Sequence, residues 1–160
     1  FGPVYQTVTT KKLIDDKHLA DFKIQCITLK YSEQVRKIAK TFDYKQEIDF
    51  LTKYEPRNKF ISKCTVIQKG NTLVLFHIID HGKAIHDLIL TLKEKDRIRN
   101  LQSIGRGLRK SQTKEKARLI DISDDLSYKS KINYTLKHFS ERIKIYNEER
   151  FDYKFYSKEI

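Results

Sequence analysis

The run Thr72 to Ile79, TLVLFHII, constrains the fold more than any other stretch of this chain. Its apolar residues do not alternate with polar ones and several are branched at Cβ, the pattern of a strand covered on both faces, as in a parallel sheet. Asp80, His81 and Gly82 read as the turn that follows, and Ala84, Ile85, Leu88, Ile89 and Leu92 then recur at helical spacing. Strand, short turn and amphipathic helix make half of a βαβ unit, which places the chain in the α/β class. A second strand-like run covers Ala117 to Ile122. Two central strands do not make a stable layer, since sheets usually hold about 4 to 6. The expectation is therefore an α/β domain whose sheet is incomplete.

The flanking segments fit such a domain. Phe1 to Asp21 reads as a polar connector with one short helix around Lys11 to Asp16. In Phe22 to Tyr31, Phe22, Ile24 and Cys26 face one way and Ile27, Leu29 and Tyr31 follow after a shift, a strand exposed on one side. Ser32 is placed to cap the helix that follows. Tyr44 to Tyr54 is helical, with Ile48 and Leu51 on one face. Pro56 opens another helix running to about Lys69, with Phe60, Cys64 and Ile67 at the i, i+4 and i+7 positions, a stop at Gly70, and Arg57, Lys59 and Lys63 as its wet face. Ser130 to Tyr146 carries Ile132, Leu136, Phe139, Ile143 and Tyr146 at spacings of a helix whose aromatic stripe faces a core. Phe151, Tyr153 and Phe155 alternate as in a short edge strand.

Charge narrows the partner. The formal net charge is +12, and residues 93–118 hold ten Lys/Arg against three acids. Clustered positive charge calls for a polyanion, nucleic acid first. No basic helix with a bulky apolar face argues for a lipid surface, and no run of about 18 apolar residues could span a membrane. Cys26 and Cys64 fall inside apolar patterns without metal-ligand spacing, which reads as buried reduced thiols of a cytoplasmic protein. Asp121, Asp124 and Asp125 sit at the carboxyl end of the second strand; they could bind metal or catalyse, but such aspartates more often cap loops and helices. His77, His81 and Lys83 fall at the carboxyl end of the first, where open α/β sheets bind ligands, and each also has a plain reading as a satisfied strand residue or a solvent-facing charge. No metal site is assigned. The chain lacks Met and opens on Phe-Gly-Pro, so an amino-terminal part is expected to precede it.

The most basic stretch contains LQSIGRGLRK, in which Gln102, Gly105, Arg106 and Arg109 take the form Q-x-x-G-R-x-x-R. Two arginines three apart share a helix face, and each guanidinium presents a donor fork that suits phosphate. Gly105 would let the backbone approach a ligand. Alone, the pattern is equally that of a solvated basic helix.

Together these segments resemble the carboxy-terminal part of superfamily 2 helicases, and more closely the branch-migrating helicases of tailed phages. FGPVYQTVTT is similar to the connector after the first motor domain, and TLVLFHIIDHGKAIHDLI to motif IV. LQSIGRGLRK is similar to motif VI, ARLIDISDD to the strand after it, and INYTLKHFSERIKIYNEERFDY to the terminal helix. The resemblance implies a partial RecA-like second motor domain, with a connector over 1–70, the motor portion over 71–125 and a helical extension over 126–160. Motif V and its strands should stand between Lys95 and Asp96, on the order of fifty residues at about 30 per βα unit, and are not there. The phosphate loop and the acidic magnesium box belong to the first motor domain, which this chain lacks. By resemblance, Arg109 is the arginine finger, Arg106 a further γ-phosphate contact, and Gln102 and Gly105 complete the ATP-binding motif. His77, His81, Lys83, Arg97, Arg99 and Lys110 would lie on the DNA track. ATP and Mg²⁺ would serve the intact parent, in the cytoplasm of the host if phage-encoded, and this chain alone should not hydrolyse ATP. The competing readings are a non-catalytic nucleic-acid-binding module and a degenerate helicase remnant.

Overall fold

The computed structural model describes residues 10–18, 20–68, 71–76, 78–92 and 116–160. The elements run α1 (Thr10–Asp15), β1 (Asp21–Lys30), α2 (Glu33–Ala39), α3 (Tyr44–Lys53), α4 (Glu55–Val66), α5 (Ile79–Leu92), β2 (Lys116–Asp125), α6 (Tyr134–Glu148) and β3 (Asp152–Glu159). The chain is α/β: three parallel strands in the order β2-β1-β3, with helices on both faces. The central strand comes from the first third of the chain and both its neighbours from the last, which is why the sheet cannot form until distant segments meet.

β1 is the centre, and its register with β2 is unbroken from Asp21 opposite Lys116 to Lys30 opposite Asp125. The expected shift after Cys26 is absent. Phe22, Ile24 and Cys26 pack with Phe139, Tyr146 and Phe151 on one face, and Ile27 and Leu29 pack with Ala39, Leu51 and Phe60 on the other. What resembled a broken alternation is one regular strand with apolar side chains on both faces, so it is covered on both sides and not exposed on one. β3 is the edge strand expected from Phe151, Tyr153 and Phe155, with Tyr153 and Phe155 of the strand itself packed edge-on at 5.3 Å.

The run expected to be the buried strand is not one. Residues 71–76 form no regular structure, and Leu75, Phe76 and Ile79 are exposed. A strand buried on both faces needs a neighbour along each edge for its amide and carbonyl groups. Both edges of β1 are already occupied, and no described strand pairs with this run. Asp80, His81 and Gly82 likewise belong to the first turn of α5 and not to a turn before it. Gly82 is buried with the Phe76 ring directly against it, where any Cβ would overlap the ring.

The helix starts follow local chemistry. Ser32 Oγ accepts from the Val35 amide at 3.4 Å, and Asp43 with Gln46 forms a reciprocal capping box at the head of α3. α4 carries Pro56 in its first turn and ends at Val66, short of Lys69; the stop expected at Gly70 lies outside the described residues. α6 starts at Tyr134, so Ile132 precedes the helix and is exposed, whereas Phe139 and Tyr146 are buried as the stripe requires.

Candidate functional site

A buried polar cluster sits at the carboxyl ends of β1 and β2. Asp124 is next to last in β2, and Tyr31 directly follows β1. Arg57, in the first turn of α4, reaches the same carboxylate. Its Nε donates to Asp124 Oδ1 at 2.8 Å and its Nη2 to Oδ2 at 3.1 Å, the two-pronged geometry a guanidinium favours. The Tyr31 hydroxyl donates to Oδ1 at 2.6 Å. The Asp124 side chain is 3% exposed and that of Arg57 13%. Arg57 is therefore not part of a wet face. Lys59, by contrast, pairs with Glu55 in solvent. Burial weakens the Arg57 charge, but the field and hydrogen bonds of Asp124 outweigh it and hold the guanidinium firmly protonated. Burial and the Asp124 carboxylate push the Tyr31 hydroxyl far above its ordinary range, so it stays a donor.

His81, on α5, joins this cluster. Asn58 Nδ2 donates to the Thr52 carbonyl at 2.8 Å, which turns Asn58 Oδ1 toward His81 Nε2 at 3.0 Å. Nε2 is thus the protonated nitrogen, a tautomer assigned from its partners. Arg57 Nη1 lies 3.4 Å from the same nitrogen. Burial and the Arg57 charge lower the His81 pKa, so the ring is neutral near pH 7. Lys83, two residues on, is exposed and 3.4 Å from Asp80.

A second buried group anchors α6. Glu47 of α3 accepts from the backbone amides of Tyr134 and Thr135 at 2.9 and 2.7 Å, a carboxylate at a helix amino terminus. Asn133 donates to Glu47 and to the Asp124 carbonyl and accepts from the Leu126 amide. On the opposite face of β2, Asp121 receives two bonds from Arg142 at 2.9 Å and one from the Tyr146 hydroxyl at 2.9 Å. Burial and then Asp121 push the Cys26 thiol up to about 11, so it is a neutral packing group. Asp125 accepts from the Ser127 amide, the local role such residues usually play.

This arrangement locks rather than reacts. The carboxylates of Asp121 and Asp124 are filled by arginine and tyrosine donors, so neither has a free face for magnesium. Among the described residues no group of three or more His, Cys, Asp or Glu could hold a metal ion, and no helix is long and apolar enough to cross a membrane. Of the residues singled out from sequence, the structure places His81 inside the network and Lys83 on the surface beside it. His77, Arg97, Arg99, Gln102, Gly105, Arg106, Arg109 and Lys110 lie outside the described residues. Arg57 reads from sequence as a wet-face residue and Tyr31 as a strand residue, and Asn58 is not singled out; their meeting carries no local signal, because the partners are 23 to 93 residues away.

No family model matches the chain. The ATP-dependent DNA helicase UvsW of enterobacteria phage T4 is 30% identical over 220 residues, which cover 96% of this chain and 44% of the relative. That alignment is longer than the chain itself, so the relative holds residues that this chain lacks. The crystal structure of T4 UvsW matches with a TM-score of 0.69 at 25% identity, over 88% of this chain and 42% of the other. Sequence and fold agree: the chain is UvsW-like over nearly all its length, and it spans less than half the length of that phage helicase.

Proposed function

We propose that this chain is the carboxy-terminal part of an ATP-dependent superfamily 2 DNA helicase acting on branched DNA in recombination and repair. The observation that carries the reading is similarity to one helicase in both sequence and fold, over 96% and 88% of the chain. In this reading residues 71–125 belong to the remaining portion of a RecA-like second motor domain, whose sheet is completed by β1 from the preceding segment and β3 from the following one. Arg109 and Arg106 reach the γ-phosphate of ATP held by a first motor domain, with Gln102 and Gly105 shaping the same motif. Two guanidinium groups at the transferring phosphoryl would offset the charge that builds there, and an arginine finger supplies about 10³ to 10⁵ in rate.

Magnesium and the phosphate loop belong, by the same resemblance, to the first motor domain, while Asp121 and Asp124 of this chain are paired with arginine and tyrosine donors. His77, Lys83, Arg97, Arg99 and Lys110 contact the DNA backbone, where binding is independent of sequence and weakens with salt; His81, expected on the same track, is neutral with its one N–H donated to Asn58, so it serves by holding the start of α5. The Arg57–Asp124 lock supports this role by fixing α4 to the sheet, and through Asn58 and His81 it fixes the start of α5, where Lys83 projects.

The test is DNA-stimulated ATP hydrolysis, measured on the chain alone and after joining it to the amino-terminal motor portion of the phage relative. No hydrolysis alone and hydrolysis in the joined protein are expected, with Arg109→Ala lowering the rate by about 10³ or more and Lys110→Ala having far less effect. Tight DNA binding without any gain of hydrolysis, and equal losses for every basic substitution, would instead identify a non-catalytic nucleic-acid-binding module.

A further inference from the structure

The first turns of α3 and α6 lie side by side because the Glu47 carboxylate bridges them. That contact brings two aromatic residues from distant parts of the chain onto one surface. Tyr44 packs against Tyr134 with ring centroids 5.8 Å apart and against His138 at 5.7 Å, both edge-on. Edge-on packing sets the rim of one ring against a face of the other, so each contact covers one ring face and leaves the opposite face available; Tyr134 is half-buried. Tyr44 is 47% exposed, and His138 is also exposed. The Lys137 ammonium sits over the Tyr134 ring at 5.6 Å.

The loop before α6 extends this surface. Tyr128 and Lys131 form a bridge closed by Lys129 and Ser130, with Lys129 in the left-handed region at φ 53°. Lys129 lies over the Tyr128 ring at 5.8 Å. Lys131 donates to the carbonyls of Lys40 and Phe42, at 2.5 and 3.0 Å, and so ties the loop to the segment that leads into Tyr44. Residues 36–46 and 128–138 together hold seven Lys/Arg and one carboxylate, Asp43. That carboxylate accepts from the Gln46 amide as the cap of α3. The amino terminus of α6 is filled by Glu47, so what this face offers a ligand is side-chain charge and exposed aromatic surface.

We propose that this face binds single-stranded nucleic acid, with bases stacking on Tyr44 and Tyr134 and phosphates met by Lys45, Lys129 and Lys137. Stacking rings interleaved with lysines suit a chain of alternating bases and phosphates, and the stacking is indifferent to base identity. A duplex keeps its bases stacked inside, so it can use only the charges. The proposal rests on the nucleic-acid-binding part of the reading above and adds a second contact region, separate from Lys83 and independent of the ATP motif.

The experiment is fluorescence anisotropy of a labelled dT20 strand, its RNA counterpart and a duplex of the same length, titrated with the full 160-residue chain at several salt concentrations. Tyr44→Ala and Tyr134→Ala are each expected to weaken binding of the single strands about 5- to 100-fold and of the duplex little. Tyr44→Phe should retain binding, and Lys137→Ala should lower the salt slope by about one charge. Circular dichroism verifies that each variant is folded, and Tyr44, the more exposed of the pair, remains the readout if Tyr134→Ala unfolds. Parent binding with both alanine variants within twofold of it overturns the proposal and leaves the helicase reading standing. Equal losses on single strand and duplex overturn the stacking role. No binding of any strand by the folded parent overturns both the proposal and the nucleic-acid reading beneath it.

Discussion

Asp121 and Asp124 stand three apart on one strand and have the same partners by type: one arginine held by two bonds and one tyrosine hydroxyl. An odd separation puts them on opposite faces of the sheet. Asp121 takes both partners from α6, at Arg142 and Tyr146, one helical turn apart. It therefore pins one helix to the sheet. Asp124 takes Tyr31 from the end of β1 and Arg57 from α4, and through Asn58 and His81 the network continues to α5. It joins four elements. The Arg142 side chain is 38% exposed and that of Arg57 only 13%. The same chemistry is thus a half-wet clasp on one face and a buried lock on the other, and burial decides what it costs to break.

The comparison is sharpest at Arg57. Arg57→Ala leaves the Asp124 carboxylate buried with only the Tyr31 donor, and a loss of about 3–5 kcal/mol is expected in urea unfolding. Replacing Arg57, Asp124 and Tyr31 together by Met, Leu and Phe should recover most of that loss, because no charge or hydroxyl is then stranded. A triple variant as unstable as Arg57→Ala would mean that packing, not the stranded charge, sets the cost. Arg142→Ala is expected to cost about 1 kcal/mol, since water reaches the site and Tyr146 still donates to Asp121. Equal losses at Arg57 and Arg142 would remove the distinction between the two faces.

Ser32→Ala probes the same end of β1 outside the lock. Its cap bond is exposed and long, so about 0.5 kcal/mol is expected from the thermal midpoint. His81 supplies a pH-dependent test with no effect at pH 7.5. Its folded pKa lies below the ordinary 6.5, so on acidification the unfolded chain takes up the proton first. Stability is fully present above pH 6.5 and falls as pH drops toward the lowered value. His81→Gln keeps a neutral donor for Asn58, and thermal melts at pH 7.5 and 5.5 should differ less for this variant than for the parent.

Local pattern was enough for the elements whose causes are local. The stripe of Leu136, Phe139, Ile143 and Tyr146, the Ser32 cap, the Pro56 start and the alternation of β3 are all realised, because each depends on residues within a turn or two. The α/β class is realised, but not through the half βαβ unit at 72–92 that suggested it: the parallel strands are β1, β2 and β3. The centre of the sheet did not follow from local pattern. The largely apolar run at 72–79 has more of the pattern of a central strand than the mixed Asp21–Lys30, yet a strand is defined by its neighbours, and the neighbours went to β1. Arg57 shows the same limit within the site. On its own helix it resembles Lys59, and only the arrival of β2 beside β1 sets Asp124 against it, at a separation of 67 residues. Periodicity encodes which face of an element is apolar. Which elements meet, and so which charges are buried together, is settled when the chain closes on itself.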